Sequence, residues 1–570
     1  MSILLVLFII LFSGFEAQAL PYDYTANIEC LENPQKPLYS GGIIKNPELN
    51  DGLEGWTAIG DAKIQQRESR GNKFVVAHNR NQPNDSVSQK FYMRKNNPYS
   101  LSAWIQVSQG NATVSAVVKT REGLKYGGAI VAESNCWSML KGGLTFDTSG
   151  PADLYFESND TSVEIWVDSI SLQPFTQKQW RLHQEQSIEK KHKKRVIIQT
   201  IDGRGNPLAN ASIIFEQKRS NFPFGSAMNK YILDNTAYQN WFTSRFTVTT
   251  FVNEMKWYST ESVQGKEDYS ISDAMLNFAN QHKISVRGHN VFWDDPNYQP
   301  SWVPSLPPDQ LNSAVQKRLN SVVSRYKGQL VAWDVVNENL HFSFLESKLG
   351  KDASAKIYHD AHNIDGQTTL FLNDYNTIED NRDGVSTAAR YLDKLREIKG
   401  YAGYSGWSIG IGLESHFSIP PDLPSMRSSI DTLAATGSPL WLTEVDVKNM
   451  PNQAEYLEQV LREAHSHPHI QGIVMWTPWK ECEAMCLVDE NFKNLPCGDV
   501  VDKLLQEWGF SQSLEAKTDS NGFLEATLFH GHYQVNITHP LNNNLSSLHN
   551  LQVMPMNEPN KVSQIIQLSV

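Results

Sequence analysis

The sequence predicts a multidomain protein in which a (β/α)8 TIM barrel follows a β-sandwich and is flanked by a small β-unit. Three observations lead to this prediction. A chain of 570 residues is too long for a single hydrophobic core. Residues 41–174 alternate apolar and polar positions without a sustained helical period. Residues 217–510 instead alternate short apolar strands with amphipathic helical stretches.

The barrel is predicted from the number of these alternations. Eight strand candidates separated by helical stretches favour a closed barrel, because a doubly wound sheet would have fewer strands. The strand candidates are Phe224–Ala227, Thr247–Phe251, Ser285–Val291, Val331–Val336, Thr369–Leu372, Ile409–Leu413, Leu440–Leu442 and Ile473–Trp476. The helical stretches include Ser272–His282, Leu311–Tyr326, Val385–Lys399 and Gln453–Ala464.

The regions outside the barrel are predicted to be mostly β-structure. Residues 41–174 are expected to form a sandwich, and the polar residues 175–195 a solvated linker or a short helix. Residues 196–216 and 511–570 are β-like and are accompanied by similar Asp-, Asn- and Gly-rich turns. We therefore predict that these two pieces join into one small sandwich, with the barrel inserted between them.

The N-terminus indicates a secreted, extracellular protein. Residues 1–19 resemble a signal peptide, with the apolar run Ile3–Phe12 before the small-x-small site Ala17-Gln18-Ala19. The rival interpretation is a membrane anchor, but the run is too short to span a bilayer. Six potential N-glycosylation sites agree with export: Asn84, Asn111, Asn159, Asn210, Asn536 and Asn544.

Five cysteines permit at most two internal disulfides. Cys482 and Cys486 are close enough to bridge within one loop, and Cys30 and Cys136 could tie the N-terminal segment to the first domain. Cys497 is then left over. These spacings do not match a zinc site. We expect no metal and no cofactor.

Charge and composition narrow the class of partner. A net charge of −12 disfavours nucleic acid or an anionic membrane surface. The 15 Trp and 20 Tyr residues suit stacking on sugar rings, although core packing accounts for most of them. The net charge and the aromatic content together favour a neutral polymer such as a glycan as the partner. We expect the protein itself to be a monomer.

Two glutamates follow apolar strands on opposite sides of the predicted barrel. Glu338 comes after strand four and Glu444 after strand seven. Catalytic groups of barrel enzymes lie at the carboxyl ends of the strands, where the loops open onto one face. Two facing carboxyl groups fit the cleavage of a glycosidic bond, since one can stay protonated as the acid while the other stays ionised.

The strand ends resemble those of glycoside hydrolase family 10, the retaining xylanases, over about residues 222–508. The motifs that carry the resemblance are Gly225–Ala227, Asn253–Trp257, Arg287–Trp293, Trp333–Glu338, Asn373–Asn376, Gly410–His416 and Leu442–Asp446. Two further motifs resemble the plant branch of that family, Asn290–Pro296 and Asn494–Pro496. Residues 41–174 are similar to the N-terminal domain of that branch, a family 22 carbohydrate-binding module.

The resemblance implies a role for each matching residue. Glu338 is the expected acid/base and Glu444 the expected nucleophile, with carboxyl groups about 5–5.5 Å apart for retention. Asn337 is expected to bond the sugar 2-hydroxyl, and His416, held by Asp446, to bond Glu444. The residues expected to bind substrate are Asn253, Lys256, His289, Trp293, Tyr375 and Trp476. Possible further platforms are Trp302 and Trp479 in the barrel and Trp104, Tyr126 and Trp137 in the sandwich.

Three positions depart from the family pattern. Val252 stands where the family usually has the Glu that binds the sugar one unit beyond the cleaved residue. Asp294 replaces a His, and Glu414 replaces an amide. The implied activity is endo-hydrolysis of β-1,4-xylosidic bonds in cell-wall xylan. The alternatives are a xylan transglycosylase and a glycan-binding wall protein with weakened catalysis.

Overall fold

The computed structural model describes residues 20–482, 484–510, 513–555 and 565–569, so the predicted signal peptide lies outside the described residues. The first unit is a sandwich of two five-stranded antiparallel sheets, ordered β1-β4-β9-β6-β7 and β2-β3-β10-β5-β8. Its strands are Thr57–Ile59 (β1), Lys63–Ser69 (β2), Asn72–His78 (β3), Ser86–Met93 (β4), Pro98–Val107 (β5), Asn111–Lys119 (β6), Leu124–Glu133 (β7), Ser138–Thr145 (β8), Gly150–Glu157 (β9) and Ile165–Pro174 (β10). Alternating apolar residues of both sheets share one core, as predicted.

The segment 175–195, expected as a linker or short helix, contains the 16-residue helix Gln177–His192 (α1). Thr176 caps its first turn in a capping box with Gln179. Trp180 is buried and donates to Glu463 of the barrel at 2.9 Å. The segment is therefore a helix docked on the barrel, which its strongly polar sequence does not predict. Two strands follow it, Lys193–Ile201 (β11) and Ser212–Ser220 (β12).

Eight parallel strands close into the predicted barrel. They are Phe224–Ser226 (β13), Val248–Thr250 (β14), Ser285–Trp293 (β15), Ala332–Asn337 (β16), Thr369–Asp374 (β17), Ile409–Leu413 (β18), Leu440–Val447 (β20) and Ile470–Met475 (β21), with the short strand His416–Phe417 (β19) beside β20. β21 pairs with β13, and β18 with β20, so the sheet has no free edge. All eight strand candidates are confirmed.

Ten helices surround the barrel in the described part of the chain. They are Thr236–Thr243 (α2), Trp257–Thr260 (α3), Ser270–Gln281 (α4), Pro308–Tyr326 (α5), Phe344–Leu349 (α6), Ala353–Ile364 (α7), Ala388–Gly400 (α8), Leu423–Ala434 (α9), Gln453–Ser466 (α10) and Pro496–Glu507 (α11). Four of them, α4, α5, α8 and α10, start and end within a few residues of the four predicted stretches named above. Short 3-10 helices lie at Leu38–Gly41, Lys230–Leu233 and Pro296–Tyr298. The helices bury their apolar faces against the strands in one continuous core.

The seventh barrel strand is longer than predicted. The candidate Leu440–Leu442 ends before Glu444, but β20 continues to Val447 because β19 pairs with its last residues. Glu444 is therefore part of the strand rather than a residue of the loop that follows it. A group on a strand is held more firmly than one on a loop.

The two pieces predicted to form a small sandwich pair with each other. The C-terminal strands are Ser513–Lys517 (β22), Phe523–Phe529 (β23), Gly531–His539 (β24), Asn542–Val553 (β25) and Ile565–Ser569 (β26). They form two sheets with β11 and β12, ordered β23-β11-β26 and β22-β12-β24-β25. Both sheets contribute to one apolar core, so the barrel is inserted within this unit.

Buried charges join the first sandwich to the barrel. Lys141 of β8 forms a 2.7 Å ion pair with Asp431 of α9, and both side chains are buried. Tyr22 donates to the same carboxylate at 2.7 Å, and His467 lies 2.9 Å from it. Asp431 thus has a partner on each side, which offsets the cost of burying the charge.

The disulfides Cys30–Cys136 and Cys482–Cys486 are present and Cys497 is free and buried, as predicted. The potential glycosylation sites Asn84, Asn111, Asn159 and Asn210 are exposed, and Asn536 is half-buried. Within the described part of the chain, no helix is long and apolar enough to cross a membrane.

Candidate active site

A cleft of about 900 Å³ opens at the carboxyl ends of the barrel strands. All eleven site residues predicted from the sequence line it: Asn253, Lys256, His289, Trp293, Asn337, Glu338, Tyr375, His416, Glu444, Asp446 and Trp476. They come from the ends of seven different barrel strands, so the barrel closure brings together residues more than 200 positions apart in the chain. Such convergence at one face is the usual design of barrel enzymes.

The Glu444 carboxylate is surrounded by hydrogen-bond donors. The His416 Nε2 lies 3.4 Å from it, the His289 Nδ1 lies 3.8 Å from it, and Asn373 donates to it at 3.0 Å. Burial by itself raises the pKa of Glu444. The attraction of the His289 ring and the hydrogen bond from His416 outweigh burial, so they lower this pKa to about 2. Glu444 is therefore ionised at any ordinary pH.

The Glu338 carboxyl group has the opposite environment. It is buried, and it lies near Asp374 and Glu444, so its pKa is raised to about 8 against the opposing effect of the Trp293 indole. Its backbone adopts a left-handed φ of 58°, held by a 2.8 Å hydrogen bond from the Glu338 amide to Asn373. Glu338 is therefore protonated at neutral pH, in a conformation that non-glycine residues rarely adopt.

Two histidines are fixed by second carboxylates. Asp446 lies 3.0 Å from Nδ1 of His416 and, together with Glu444, raises the pKa of His416 well above its usual value despite burial. Asp334 lies 2.9 Å from Nδ1 of His289 and is itself paired with Arg287 at 2.7 Å. Each carboxylate orients a ring whose other atoms face the cleft, a common second layer behind reacting groups.

Asn373 belongs to one of the sequence motifs, but the sequence analysis assigned no role to it. Its amide nitrogen donates to Asn337 at 2.9 Å and to Glu414 at 3.1 Å, in addition to its bond with Glu444. It thereby joins the ends of β16, β17, β18 and β20. The signal that could have found it is its place at the end of β17, directly before Asp374 and Tyr375.

Aromatic rings form the walls of the cleft. The buried Lys256 ammonium lies 4.3 Å from the centre of the Trp293 ring and 5.7 Å from that of Trp476. Trp293 also stacks on Tyr298 at 3.9 Å. A cation between two indoles holds them in place, and their remaining faces suit the C–H faces of a sugar.

Tyr375 also lines the cleft and stacks on His341 at 3.7 Å. His341 lies between Asp374 and Asp383, and these carboxylates raise its pKa to about 9 although burial lowers it. A charged His341 ring thus stacks against Tyr375. The sequence alone did not reveal this contact.

The three departures from the family pattern have different surroundings. Val252 is buried and lines the cleft beside Asn253. Asp294 is buried away from the cleft, where it accepts hydrogen bonds from Asn339 at 2.8 Å and from the Leu345 amide at 2.9 Å. Glu414 lies in the cleft next to Glu444, and burial followed by repulsion from Glu444 raises its pKa well above the usual range.

The Glu414→Gln variant is expected to keep wild-type activity within about threefold. Burial raises the pKa of Glu414 and so favours its uncharged form, and an amide of the same shape is expected to preserve its contacts with Asn337 and Asn373. Glu414→Leu removes those contacts and is expected to lose about tenfold or more. Initial rates of sugar release by both purified variants test this. A large loss in the Gln variant would show that Glu414 works as an anion.

The other aromatic candidates lie mostly in cores. Trp104 and Trp137 are buried with Phe74 in a small apolar cluster of the first sandwich. In the barrel, Trp479 is buried, and Trp302 packs against Trp257 with its indole donating to the Glu261 carbonyl. Among the candidates of the sandwich, Tyr126 is half-buried, and burial followed by repulsion from Glu157 raises its pKa.

Among the described residues, the ligand atoms of Glu414, His416 and Glu444 lie within 4.8 Å of one another. These are donors that a divalent ion could use. The same atoms are already engaged with Asn373 and with one another. Cys30, Glu133 and Cys136 form a second such group, whose thiols are joined in a disulfide.

Comparison with known proteins identifies the barrel. The model of glycosyl hydrolase family 10 matches residues 214–503, and a carbohydrate binding domain matches residues 41–162. The chain belongs to glycosyl hydrolase family 10. It is similar to endo-1,4-beta-xylanase 5 of Arabidopsis thaliana, with 38% identity over 97% of this chain and 96% of the relative.

This family 10 chain is also similar to a second protein from Arabidopsis thaliana and to a solved structure. Endo-1,4-beta-xylanase 4 of Arabidopsis thaliana is 38% identical over 96% of this chain and 95% of the relative. The crystal structure of xylanase 10B from Thermotoga petrophila in complex with xylobiose is 21% identical, with a TM-score of 0.45. The match between the two structures covers 51% of this chain and 95% of the Thermotoga petrophila chain.

Proposed function

We propose that this family 10 protein cleaves internal β-1,4-xylosidic bonds of xylan by a retaining double displacement. The observation that carries the proposal is the opposite protonation of two carboxyl groups in one cleft. Burial raises the pKa of Glu338 to about 8, whereas His289 and His416 outweigh burial and lower the pKa of Glu444 to about 2. A retaining glycosidase needs one group of each kind.

In the first step, an electron pair of the Glu444 carboxylate attacks the anomeric carbon and forms an ester bond to the sugar. The bond between that carbon and the bridging oxygen breaks, and its electron pair goes to the oxygen. Glu338 donates its proton to the same oxygen, so the leaving chain departs as an alcohol. The step ends with Glu338 ionised and Glu444 esterified.

In the second step, a water molecule takes the place of the departed chain. The Glu338 carboxylate accepts a proton from the water as its oxygen attacks the anomeric carbon. The ester bond breaks and Glu444 recovers its charge. Two inversions at one carbon leave the configuration unchanged.

The neighbouring residues would position the sugar and the two carboxyl groups. His416, held by Asp446, and His289, held by Asp334, keep Glu444 ionised and oriented. Asn337 lies beside the pair and would bond the sugar hydroxyl next to the reacting carbon. The sugar-binding walls would be Lys256, Asn253, Trp293, Tyr375 and Trp476.

The proposed substrate rests on the names of relatives together with the first sandwich. The relatives from Arabidopsis thaliana are endo-1,4-beta-xylanases, and residues 41–162 match a carbohydrate binding domain. Residues 41–174 would hold the barrel near its polymer, which raises the local substrate concentration. Residues 217–510 would be the catalytic domain, and residues 196–216 and 511–570 its supporting unit.

We further propose that the protein is exported to the cell wall, glycosylated and monomeric. Two disulfides and four exposed glycosylation sites support an oxidising route of export. Residues 1–19 would be removed on that route. Mature N-terminal sequencing tests the cleavage, and a sequence starting at Met1 would contradict it.

The catalytic rate is expected to have a bell-shaped dependence on pH. Hydrolysis needs Glu444 ionised and Glu338 protonated, so kcat/KM should rise as pH increases through about 2 and fall as pH increases through about 8. Initial rates on xylan between these limits, corrected for unfolding at each pH, measure both limbs. An alkaline limb near pH 5 would contradict the raised pKa of Glu338.

Product analysis separates the proposal from the two alternatives. Hydrolysis gives short xylo-oligosaccharides, whereas a transglycosylase gives products longer than its substrate at high oligosaccharide concentration. A binding protein gives neither. The intact pair Glu338 and Glu444 favours catalysis over binding alone, because both carboxyl groups retain the protonation states that the reaction needs.

A further inference from the structure

One carboxylate in the cleft has no role in the mechanism above. Glu481 lies in the loop that follows β21, and its side chain is exposed to the cleft close to Val252 and Asn253. The Asn253 amide nitrogen lies 3.5 Å from a Glu481 carboxylate oxygen. A negative charge therefore reaches the end of the cleft where the chain itself has an apolar Val252.

The position of Glu481 is set by its backbone. Thr477 donates a 3.0 Å hydrogen bond to the Glu481 carbonyl, and Asn229 donates a 2.8 Å hydrogen bond to the Trp479 carbonyl. The next residue, Cys482, is tied to Cys486 by a disulfide. Glu481 itself has a left-handed φ of 53°. Such a backbone conformation in a non-glycine residue persists only where its surroundings fix it.

The groups around Glu481 form a site for sugar hydroxyls. The Tyr258 hydroxyl donates to the Asn253 side-chain oxygen at 2.6 Å, which leaves the Asn253 amide nitrogen facing Glu481. A carboxylate accepts hydrogen bonds and an amide nitrogen donates them. The pair is complementary to two neighbouring hydroxyls of a sugar, one donating and one accepting.

Contacts among the lining residues link this site to the reacting centre. His289 lies 3.8 Å from Glu444, and the buried Lys256 lies between the Trp293 and Trp476 rings. The Lys256 amide bonds back to the Asn253 carbonyl at 3.0 Å. These contacts connect the nucleophile to Asn253 and Glu481 through one continuous lining of the cleft.

We propose that Glu481 is the specificity-determining carboxylate that binds the sugar one unit beyond the cleaved xylose, paired with Asn253. The inference rests on the proposed xylanase function. It accounts for Val252 at a position where a carboxylate would otherwise be expected, because Glu481 supplies a carboxylate from a different loop. Glu481 acts on substrate binding and takes no part in bond breaking.

The test compares two activated aryl glycosides on wild-type protein and on Glu481→Gln. An aryl β-xyloside occupies only the reacting sugar site, whereas an aryl β-xylobioside also occupies the next one. We expect kcat/KM of the variant to fall about tenfold for the xylobioside, since a charge-assisted hydrogen bond is lost, and to stay within about twofold for the xyloside. Glu490→Gln is the matched control, because Glu490 is an exposed glutamate outside the cleft lining.

Each outcome is decisive. A selective loss on the xylobioside supports the role of Glu481, and a still larger loss in Glu481→Ala strengthens it. An unchanged xylobioside rate, or an equal loss on both substrates, overturns the inference and leaves the proposed function standing. Wild-type protein inert on both substrates would overturn the proposed function, and this inference with it.

Discussion

Replacing Glu444 by Ala is expected to lower the hydrolysis of xylan by about 10⁴-fold or more, since no other group can form the glycosyl-enzyme ester. The carboxylate is within reach of His289, His416 and Asn373, and none of these replaces it as a nucleophile. The release of reducing ends by purified variant and wild-type protein measures the loss. A decrease of less than about tenfold would mean that Glu444 does not attack the sugar.

Added azide provides the control for the Glu444→Ala variant. A small anion can enter the space that the carboxylate leaves and attack the anomeric carbon of an activated aryl xylobioside from the same face. A single displacement inverts the configuration, so the product should be an α-glycosyl azide. Formation of this product shows that the variant is folded and still binds the substrate in its cleft.

Replacing Glu338 by Ala is expected to affect substrates unequally. Xylan has a poor leaving group that needs a proton, so its hydrolysis should fall by about 10³–10⁴-fold. A dinitrophenyl xylobioside leaves without a proton, so its first step should proceed at close to the wild-type rate. A burst of dinitrophenolate followed by a slow phase is the expected record in a stopped-flow spectrophotometer.

Two further observations check the role of Glu338. The alkaline limb near pH 8 should disappear in the first step of the Glu338→Ala variant, because the group that must stay protonated is gone. Azide should now intercept the glycosyl-enzyme and give a β-glycosyl azide, the opposite anomer to that from Glu444→Ala. Equal losses on xylan and on the dinitrophenyl substrate would rule out general acid catalysis by Glu338.

The barrel and the positions of the two proposed catalytic glutamates were predictable because they depend on local patterns. Short apolar strands repeat eight times, and a barrel brings the residues at their carboxyl ends together. The position of Glu338 directly after β16 follows from this rule, whereas His416 was predicted from the resemblance of Gly410–His416 to the family motif. The residues that set the pKa values of Glu338 and Glu444, among them Trp293, His289 and His416, come from other strand ends and are brought close by the closure of the barrel.

Other features depend on contacts between distant parts of the chain, which a single sequence does not reveal. The seventh strand extends through Glu444 only because His416–Phe417 pairs with it. The helix α1 is polar in sequence but docks through Trp180 on Glu463. Glu481 enters the cleft from a loop 228 positions away from Asn253 in the chain, a path fixed by a disulfide and by side-chain bonds to its backbone.

The most direct test of the central claim is to trap the glycosyl-enzyme. A dinitrophenyl 2-deoxy-2-fluoro-xylobioside reacts in the first step, while its fluorine slows the second, so the sugar stays attached to the nucleophile. Peptide mapping by mass spectrometry then locates the added mass. The account predicts one label per protein molecule, on the peptide that contains Glu444 and at that residue. A label on Glu338 or on any other residue would contradict it.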